Sequence, residues 1–281
     1  MPWTWHWHPH PSVWALVLVT VGLWWYAIAR IGPRVLPPGA TVVTPGQRRN
    51  FALAILTLVV AAEFPIHDLA EGYLYSVHMV QHMLLTLVFP PLLLTAVPAW
   101  LVRRLLPGPV MRVARFVSRP LIALVFFNAV LVFTHWPVIV TASVNNELTH
   151  FSLHVLIVAS AIAMWMPVLS PVLEIPRLSY PGQMVYLFLQ SLVPTVPASF
   201  LTFGDRPLYA IYETFPRVLG ISALTDQRTA GLIMKIAGGA ILWAFMTAIF
   251  FKWFRTEDRD GIDTLGWRDV DRTLNRMELT K

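Results

Sequence analysis

The sequence predicts an all-α polytopic membrane protein with seven transmembrane helices, and its composition and charge distribution carry that prediction. Of 281 residues, 56% are hydrophobic and 13% charged, whereas a soluble domain has about 25% charged residues. Residues 120–146 and 178–204 contain no Asp, Glu, Lys or Arg. An apolar run longer than about 18 residues is typical of a membrane-spanning helix. The lipid bilayer is therefore the first partner that the sequence predicts.

Seven apolar stretches predict the spans in order, and proline-rich segments separate several of them. The first stretch does not resemble a cleavable signal, because no Lys or Arg precedes it and no small-residue cleavage pattern follows it. The second is the shortest in its apolar core, since Glu63 and Pro65 interrupt it. The expected organisation is an extracytoplasmic arm over 1–11, a membrane domain over 12–252 and a cytoplasmic tail over 253–281. The spans are predicted near 12–31, 51–66, 73–97, 120–140, 148–168, 183–202 and 229–252.

The distribution of cations predicts the orientation of the spans. Seventeen of the 21 Lys and Arg residues fall in alternate loops and in the C-terminal tail. Cytoplasmic loops of membrane proteins carry this excess of positive charge. The N-terminus is therefore expected outside and the C-terminus in the cytoplasm. The net charge of +6 is explained by topology and lipid contact, so no nucleic-acid partner is predicted.

All nine histidines lie toward the predicted outer side of the membrane. Two pairs, His78 with His82 and His150 with His154, are each separated by one helical turn on predicted spans. Residues at this spacing share one helix face, so a single ion can reach both imidazoles of a pair. Imidazole suits copper, zinc, nickel and iron, and thioethers would favour Cu(I). These four histidines are the predicted metal ligands, provided that the third and fifth spans are neighbours.

Further residues near the same side are candidates for secondary roles. A histidine in a membrane can also simply form hydrogen bonds between helices, and polar groups there are usually functional. The thioethers of Met79 and Met83 point about 100° away from the histidine face and can equally be packing residues. The possible secondary ligands are His67, His135, Met79, Met83 and Met234.

Two regions on the outer side leave alternatives open, and a third has one expected position. The arm with His6, His8 and His10 could capture metal or, with its tryptophans, only anchor the chain at the interface. Lys235 either extends to the membrane surface or pairs with Asp226. The loop with Tyr209, Tyr212 and Phe215 is expected to lie along the membrane interface.

A family resemblance is carried by three groups of residues. The first is the stretch His78-Met79-Val80-Gln81-His82-Met83-Leu84-Leu85, followed by Pro90-Pro91 and Pro98. The second is the pair His150 and His154 followed by Trp165-x-Pro167. The third is Pro207-Leu208-Tyr209, Asp226-Gln227, Ala230-Gly231 and Met234. Together they resemble the CtaG family of cytochrome c oxidase assembly proteins. Lys235 stands where that family usually has tryptophan.

The resemblance implies a non-catalytic assembly factor in the bacterial cytoplasmic membrane that handles copper on the outer side for a haem-copper oxidase. Its expected partners are cytochrome c oxidase subunits. It assigns structural or functional importance to Gln81, Pro90, Pro91, Asp226, Gln227 and Gly231.

Two other functions remain open from the residues alone. The histidine pairs could be axial ligands of a haem b in a membrane cytochrome, or the protein could be a copper permease. A permease needs polar groups toward the cytoplasmic side, whereas residues 84–94 have only Thr86 as a polar residue. No nucleophile with a base and no phosphate-binding loop is recognisable, so the sequence does not predict an enzyme.

Overall fold

A computed structural model describes residues 5–218 and 220–260. Within these ranges the chain is helical, with no strands. The helices, in chain order, are α1 (Pro11–Val35), α2 (Pro45–Gly72), α3 (Tyr75–Ala96), α4 (Ala99–Leu105), α5 (Gly108–Val117), α6 (Pro120–Thr134), α7 (Pro137–Asn145), α8 (Glu147–Leu169), α9 (Tyr180–Phe203) and α10 (Ala223–Glu257). The last helix continues to Asp260, and the remainder of the expected cytoplasmic tail lies outside the described residues.

Six of these helices, α1, α2, α3, α8, α9 and α10, are long and apolar enough to cross a membrane. A seventh span is present if α5 and α6, which meet at 78°, are counted together. The prediction of an all-α polytopic protein is confirmed. The expected orientation of its termini stays a prediction.

The fourth predicted span differs from the expectation of one continuous helix over 120–140. Helix α6 ends at Thr134, and α7 begins at Pro137. Proline lacks an amide hydrogen and its ring clashes with the preceding turn, so a helix readily restarts at proline as its first residue. The break places His135 at the C-terminal cap of α6, where its ring can turn inward.

Helices α3 and α8 form the centre of the bundle. In their most apolar windows, 56% and 50% of the residues are buried, against 11% in α1. Trp165 and Met164 of α8 and Leu187 of α9 have no exposed surface. The two helices that carry the histidine pairs are therefore the most enclosed, which positions both pairs inside the protein.

A local irregularity in α3 links the two central helices. Residues Leu84–Val88 form a π-helical turn, immediately before the buried residues Pro90 and Pro91. Because neither proline has an amide hydrogen, carbonyl groups in the preceding turn lack their helical donor. One of them, the carbonyl of Thr86, accepts a hydrogen bond of 3.0 Å from the indole nitrogen of Trp165 in α8. Because the two prolines donate no hydrogen bond, the Thr86 carbonyl can accept the one that joins α3 to α8.

The face that we expect to be cytoplasmic is tied together by arginines. The Arg103 guanidinium on α4 donates to the Glu174 carboxylate at 2.7 Å, and this hydrogen bond holds the pKa of Glu174 below its usual value. Arg115 of α5 donates to the backbone carbonyl of Glu174 at 2.7 Å. These contacts hold α4 and α5 against the segment that follows α8.

Candidate metal centre

The two predicted histidine pairs converge on one site between α3 and α8. The ring centroids are 4.3 Å apart for His78 and His82, and 4.2 Å apart for His150 and His154. Between the helices, the His82 and His154 rings lie 5.2 Å apart and the His78 and His154 rings 5.8 Å apart. The condition that α3 and α8 are neighbours is therefore met. We call these four residues together with His135 the histidine cluster.

Three of these side chains can hold one ion. A ligand nitrogen from each of His78, His82 and His154 lies within 4.8 Å of the other two. Two nitrogens bound to one metal at about 2 Å each lie no more than about 4 Å apart. A small inward rotation of the rings therefore closes the triad around a single ion.

The hydrogen bonding of the triad fits a metal better than a purely structural role. The buried ring nitrogens His78 Nδ1, His154 Nε2 and both nitrogens of His82 have no hydrogen-bond partner among the described residues. Buried polar groups are normally paired, and unpaired ones indicate an absent ion or water. Each neutral ring has one nitrogen without a hydrogen, so the three neighbouring rings offer three neutral ligand nitrogens.

His135 joins the cluster from the end of α6. Its ring centroid lies 5.8 Å from that of His82. Its Nδ1 donates to the Leu131 carbonyl at 2.7 Å, which leaves Nε2 of the neutral ring without a hydrogen, buried and without a partner. A backbone carbonyl that fixes the tautomer in this way is typical of metal-binding histidines. His135 is therefore suited to be a fourth ligand.

His150 connects the cluster, through a carboxylate, to the protein surface that we expect to face outside. Its Nε2 lies 2.9 Å from Oε1 of Glu71, and the same oxygen lies 3.2 Å from Nε2 of His67. Ser143 contacts Nδ1 of His150 at 3.1 Å. His67 thus lies between the protein surface and the cluster, and Glu71 lies between His67 and His150.

A buried carboxylate from α10 fixes the start of α3. Asp226 is 2% exposed, and its oxygens accept hydrogen bonds from the amides of Tyr75 at 2.7 Å and Ser76 at 3.0 Å. The first amides of a helix have no partner within the helix, and its positive end stabilises an anion. The alternative that Asp226 pairs with Lys235 is wrong; Lys235 is exposed on the bundle surface. Asp226 instead holds the helix that carries His78 and His82.

An aromatic lid covers the end of the cluster that we expect to face outside. The ring of Tyr75 stacks on His78 with 5.8 Å between centroids, and lies 4.9 Å from the rings of both Tyr209 and Tyr212. The Tyr209 hydroxyl donates to the backbone carbonyl of His135 at 2.8 Å. Burial raises the pKa of Tyr209 to about 12, so this donor stays protonated at neutral pH.

The lid corrects the expectation for the outer loop. Tyr209 and Tyr212 are 3% and 5% exposed, so they pack inward over α3 and do not lie along the membrane interface. The Gln227 side chain accepts from the Leu208 amide at 2.5 Å and donates to the Leu201 carbonyl at 3.2 Å. Gln227 therefore joins the loop to α9 and holds the loop over the histidine cluster.

The other residues singled out by the resemblance have structural positions near the cluster. The first part of α2, Pro45–Ala62, ends at Glu63, and its last carbonyls have no donor within the helix. The Gln81 side chain donates to one of them, the Ala61 carbonyl, at 2.9 Å. Gly231 lies where α10 meets α9, and a Cβ there would be 2.4 Å from the Thr202 hydroxyl oxygen. Gln81 and Gly231 therefore set the positions of helices around the site.

The methionines are distributed differently from the histidines. Met79 is 1% exposed and belongs to the apolar core. Met83 and Met234 line a small cavity of about 30 Å³ together with Met164, Gln190 and Lys235. Such a volume holds about one water molecule. The thioethers of Met83 and Met234 thus share a space, while Met79 packs in the core.

Comparison with known proteins identifies one family. The model of the family described as cytochrome c oxidase caa3 assembly factor (Caa3_CtaG) matches residues 22–256. No curated protein and no solved structure shows significant similarity to the chain. The matched range contains α3, α8 and the whole histidine cluster.

Proposed function

This chain belongs to the cytochrome c oxidase caa3 assembly factor family, and we propose that its histidine cluster receives Cu(I) from the outer side of the membrane and releases it during oxidase assembly. The copper ion is cargo in this proposal. The protein is a multi-pass membrane protein, with the oxidase as its partner; we place it in the bacterial cytoplasmic membrane. We assign it no catalytic step.

The observation that carries the proposal is the group of unpaired ring nitrogens in His78, His82 and His154. These ligands are neutral imidazoles, which suit copper. Burying a net charge is costly, and the free-energy cost increases with the size of the charge. A monovalent ion held by three neutral ligands leaves a net charge of +1, whereas a divalent ion would leave +2. The donor set therefore favours Cu(I) over Zn²⁺.

The packing of the rings favours a bare ion over a haem. Neighbouring rings of the cluster lie between 4.2 and 6.1 Å apart. Two imidazoles on opposite faces of a haem iron, each with a bond of about 2 Å, need a slot for the porphyrin between them. In the cluster the imidazole rings pack directly against one another, so no slot for a porphyrin lies between them. The haem b alternative thus has less support from the geometry than the copper site.

The surroundings of the cluster fit loading and release on one side. The cluster is covered on one side by the lid of Tyr75, Tyr209 and Tyr212. On another side, Glu71 lies between the cluster and the surface that we expect to face outside. Toward the expected cytoplasmic side, α3 continues with buried apolar residues such as Leu87 and Leu94. This arrangement supports a store for copper more than a permease.

An anaerobic titration of the purified protein with Cu(I) and a chromogenic competitor tests the proposal. We expect one tightly bound equivalent in the wild-type protein. The combined variant His78→Asn, His82→Asn, His154→Asn should lose it, while His6→Asn, which changes an exposed histidine of the N-terminal arm, should keep it. Unchanged tight binding in the combined variant would overturn the proposal, and a Soret band in the purified wild-type protein would favour the haem alternative.

A further inference from the structure

A second group of histidines and carboxylates lies at the outer surface above the histidine cluster. His8 and His10 of the N-terminal arm and His67, Asp68 and Glu71 of α2 line a cavity of about 440 Å³. We call these five residues the vestibule. From the sequence, the arm could either capture metal or anchor the chain. In the structure it lies beside side chains that can bind metal.

The N-terminal arm is fastened in place at His10. The backbone amide of His10 donates to the buried Glu63 carboxylate at 3.2 Å. Its Nε2 lies 2.5 Å from the Asp68 carboxylate, and its ring lies 4.4 Å from that of His67. His8 Nδ1 is 3.7 Å from the same carboxylate, with 63% of its side chain exposed. The arm thus brings two imidazoles to the Asp68 carboxylate, whose side chain is 19% exposed.

Glu71 joins the vestibule to the histidine cluster. A single oxygen, Oε1, contacts Nε2 of His67 at 3.2 Å on the vestibule side and Nε2 of His150 at 2.9 Å on the cluster side. The His150 ring in turn lies 4.2 Å from that of His154, which belongs to the triad. Potential ligands therefore follow one another without a gap from the surface to the buried site.

We propose that the vestibule is an outer metal site that captures the ion and passes it through Glu71 to the histidine cluster. This inference rests on the proposed function. Carboxylates favour harder cations than Cu(I), while imidazoles suit copper. A mixed site therefore holds Cu(I) more weakly than the triad does, and the difference in affinity drives the ion inward.

The carboxylates also explain why such a site accelerates loading. Asp68 and Glu71 place carboxylates at the mouth of a low-dielectric protein interior. Charges of one sign in a cleft increase association rates of an oppositely charged ion by about 10- to 1000-fold. The vestibule is therefore expected to control the rate of copper uptake, while the triad controls the final affinity.

The outer site is tested in protein that lacks the inner one. In the variant His78→Asn, His82→Asn, His154→Asn, anaerobic Cu(I) titration should show one weak equivalent. Adding Asp68→Asn with His10→Asn should abolish this equivalent, whereas adding His6→Asn should not. Circular dichroism and thermal unfolding establish that the variants are folded. Absence of the weak equivalent, or its survival without Asp68 and His10, would overturn the outer site.

The role of Glu71 is tested by the rate of loading in stopped-flow mixing with Cu(I). Glu71→Gln should fill the triad to the wild-type stoichiometry but about tenfold more slowly. Glu147→Gln, which removes an exposed charge at the outer start of α8, should fill at the wild-type rate. Wild-type loading by Glu71→Gln, or loss of its equilibrium binding, would refute the transfer role. Failure of the wild-type protein to bind any Cu(I) would instead refute the proposed function.

Discussion

The indole nitrogen of Trp165 donates a 3.0 Å hydrogen bond to the backbone carbonyl of Thr86 and thereby joins the two helices that carry the histidine pairs. The Thr86 hydroxyl donates to the carbonyl of His82, one turn earlier, at 2.6 Å. Trp165 has no exposed surface. The contact therefore aligns α3 and α8 close to the candidate ligands, and its acceptor exists because Pro90 and Pro91 provide no amide.

Removing this donor should weaken both stability and metal binding. Trp165→Phe leaves a buried carbonyl unpaired, which costs about 1–3 kcal/mol. We expect a lower midpoint of thermal unfolding and a lower Cu(I) affinity with the stoichiometry retained. Trp243→Phe is the matched control, because Trp243 is 56% exposed on α10. Equal unfolding midpoints for the two variants would contradict a structural role for the bond.

The Asp226 carboxylate should be required for the position of α3. Asp226→Asn keeps one side-chain acceptor but removes the charge that faces two amides at the helix start. A charge in a partly buried site of this kind contributes up to about 2 kcal/mol. Thermal unfolding should show a loss of this order, with a larger loss for Asp226→Ala. The exposed Asp205 serves as control, since Asp205→Asn should leave the unfolding midpoint unchanged.

The central part of the site could be predicted from the sequence, because its information is local. The spacing of His78 with His82 and of His150 with His154 defines one face on each of two helices. The charge distribution indicated that both pairs lie on the same side of the membrane, and the helical rise per residue put them at comparable depths below that surface. The only missing fact was that α3 and α8 are neighbours, which a single sequence does not encode in any local pattern.

The remaining features depend on contacts between distant segments. Asp226 lies 151 positions from Tyr75, so its partner could not be found by comparing charges nearby in the chain. Tyr209 and Tyr212 have the spacing of an interfacial helix, but they pack on Tyr75 because the loop is held by Gln227. His135 is the cap residue of a helix that ends before Pro137, and its ring packs near His82. Tertiary packing decides each of these cases.

Close approach of α10 to α9 should make Gly231 sensitive to a single methyl group. A Cβ at this position would lie 2.4 Å from the Thr202 hydroxyl oxygen and 2.8 Å from the Ala198 carbonyl oxygen. Overpacking of this kind costs about 1–3 kcal/mol. Gly231→Ala should therefore lower the unfolding midpoint. Gly239→Ala, eight residues later in the same helix, meets no atom within 4 Å and should be neutral or slightly stabilising.

The predicted orientation can be measured without changing the background, because the chain contains no cysteine. Glu147→Cys places a thiol at the exposed start of α8, near the histidine cluster, and Arg104→Cys places one at the exposed end of α4. The excess of Lys and Arg near α4 predicts that this end is cytoplasmic. A membrane-impermeant maleimide added to intact cells should label Glu147→Cys, and should label Arg104→Cys only after permeabilisation. The cysteine-free protein gives the unlabelled baseline. The reverse labelling pattern would place the histidine cluster on the cytoplasmic side and would exclude loading of copper from outside.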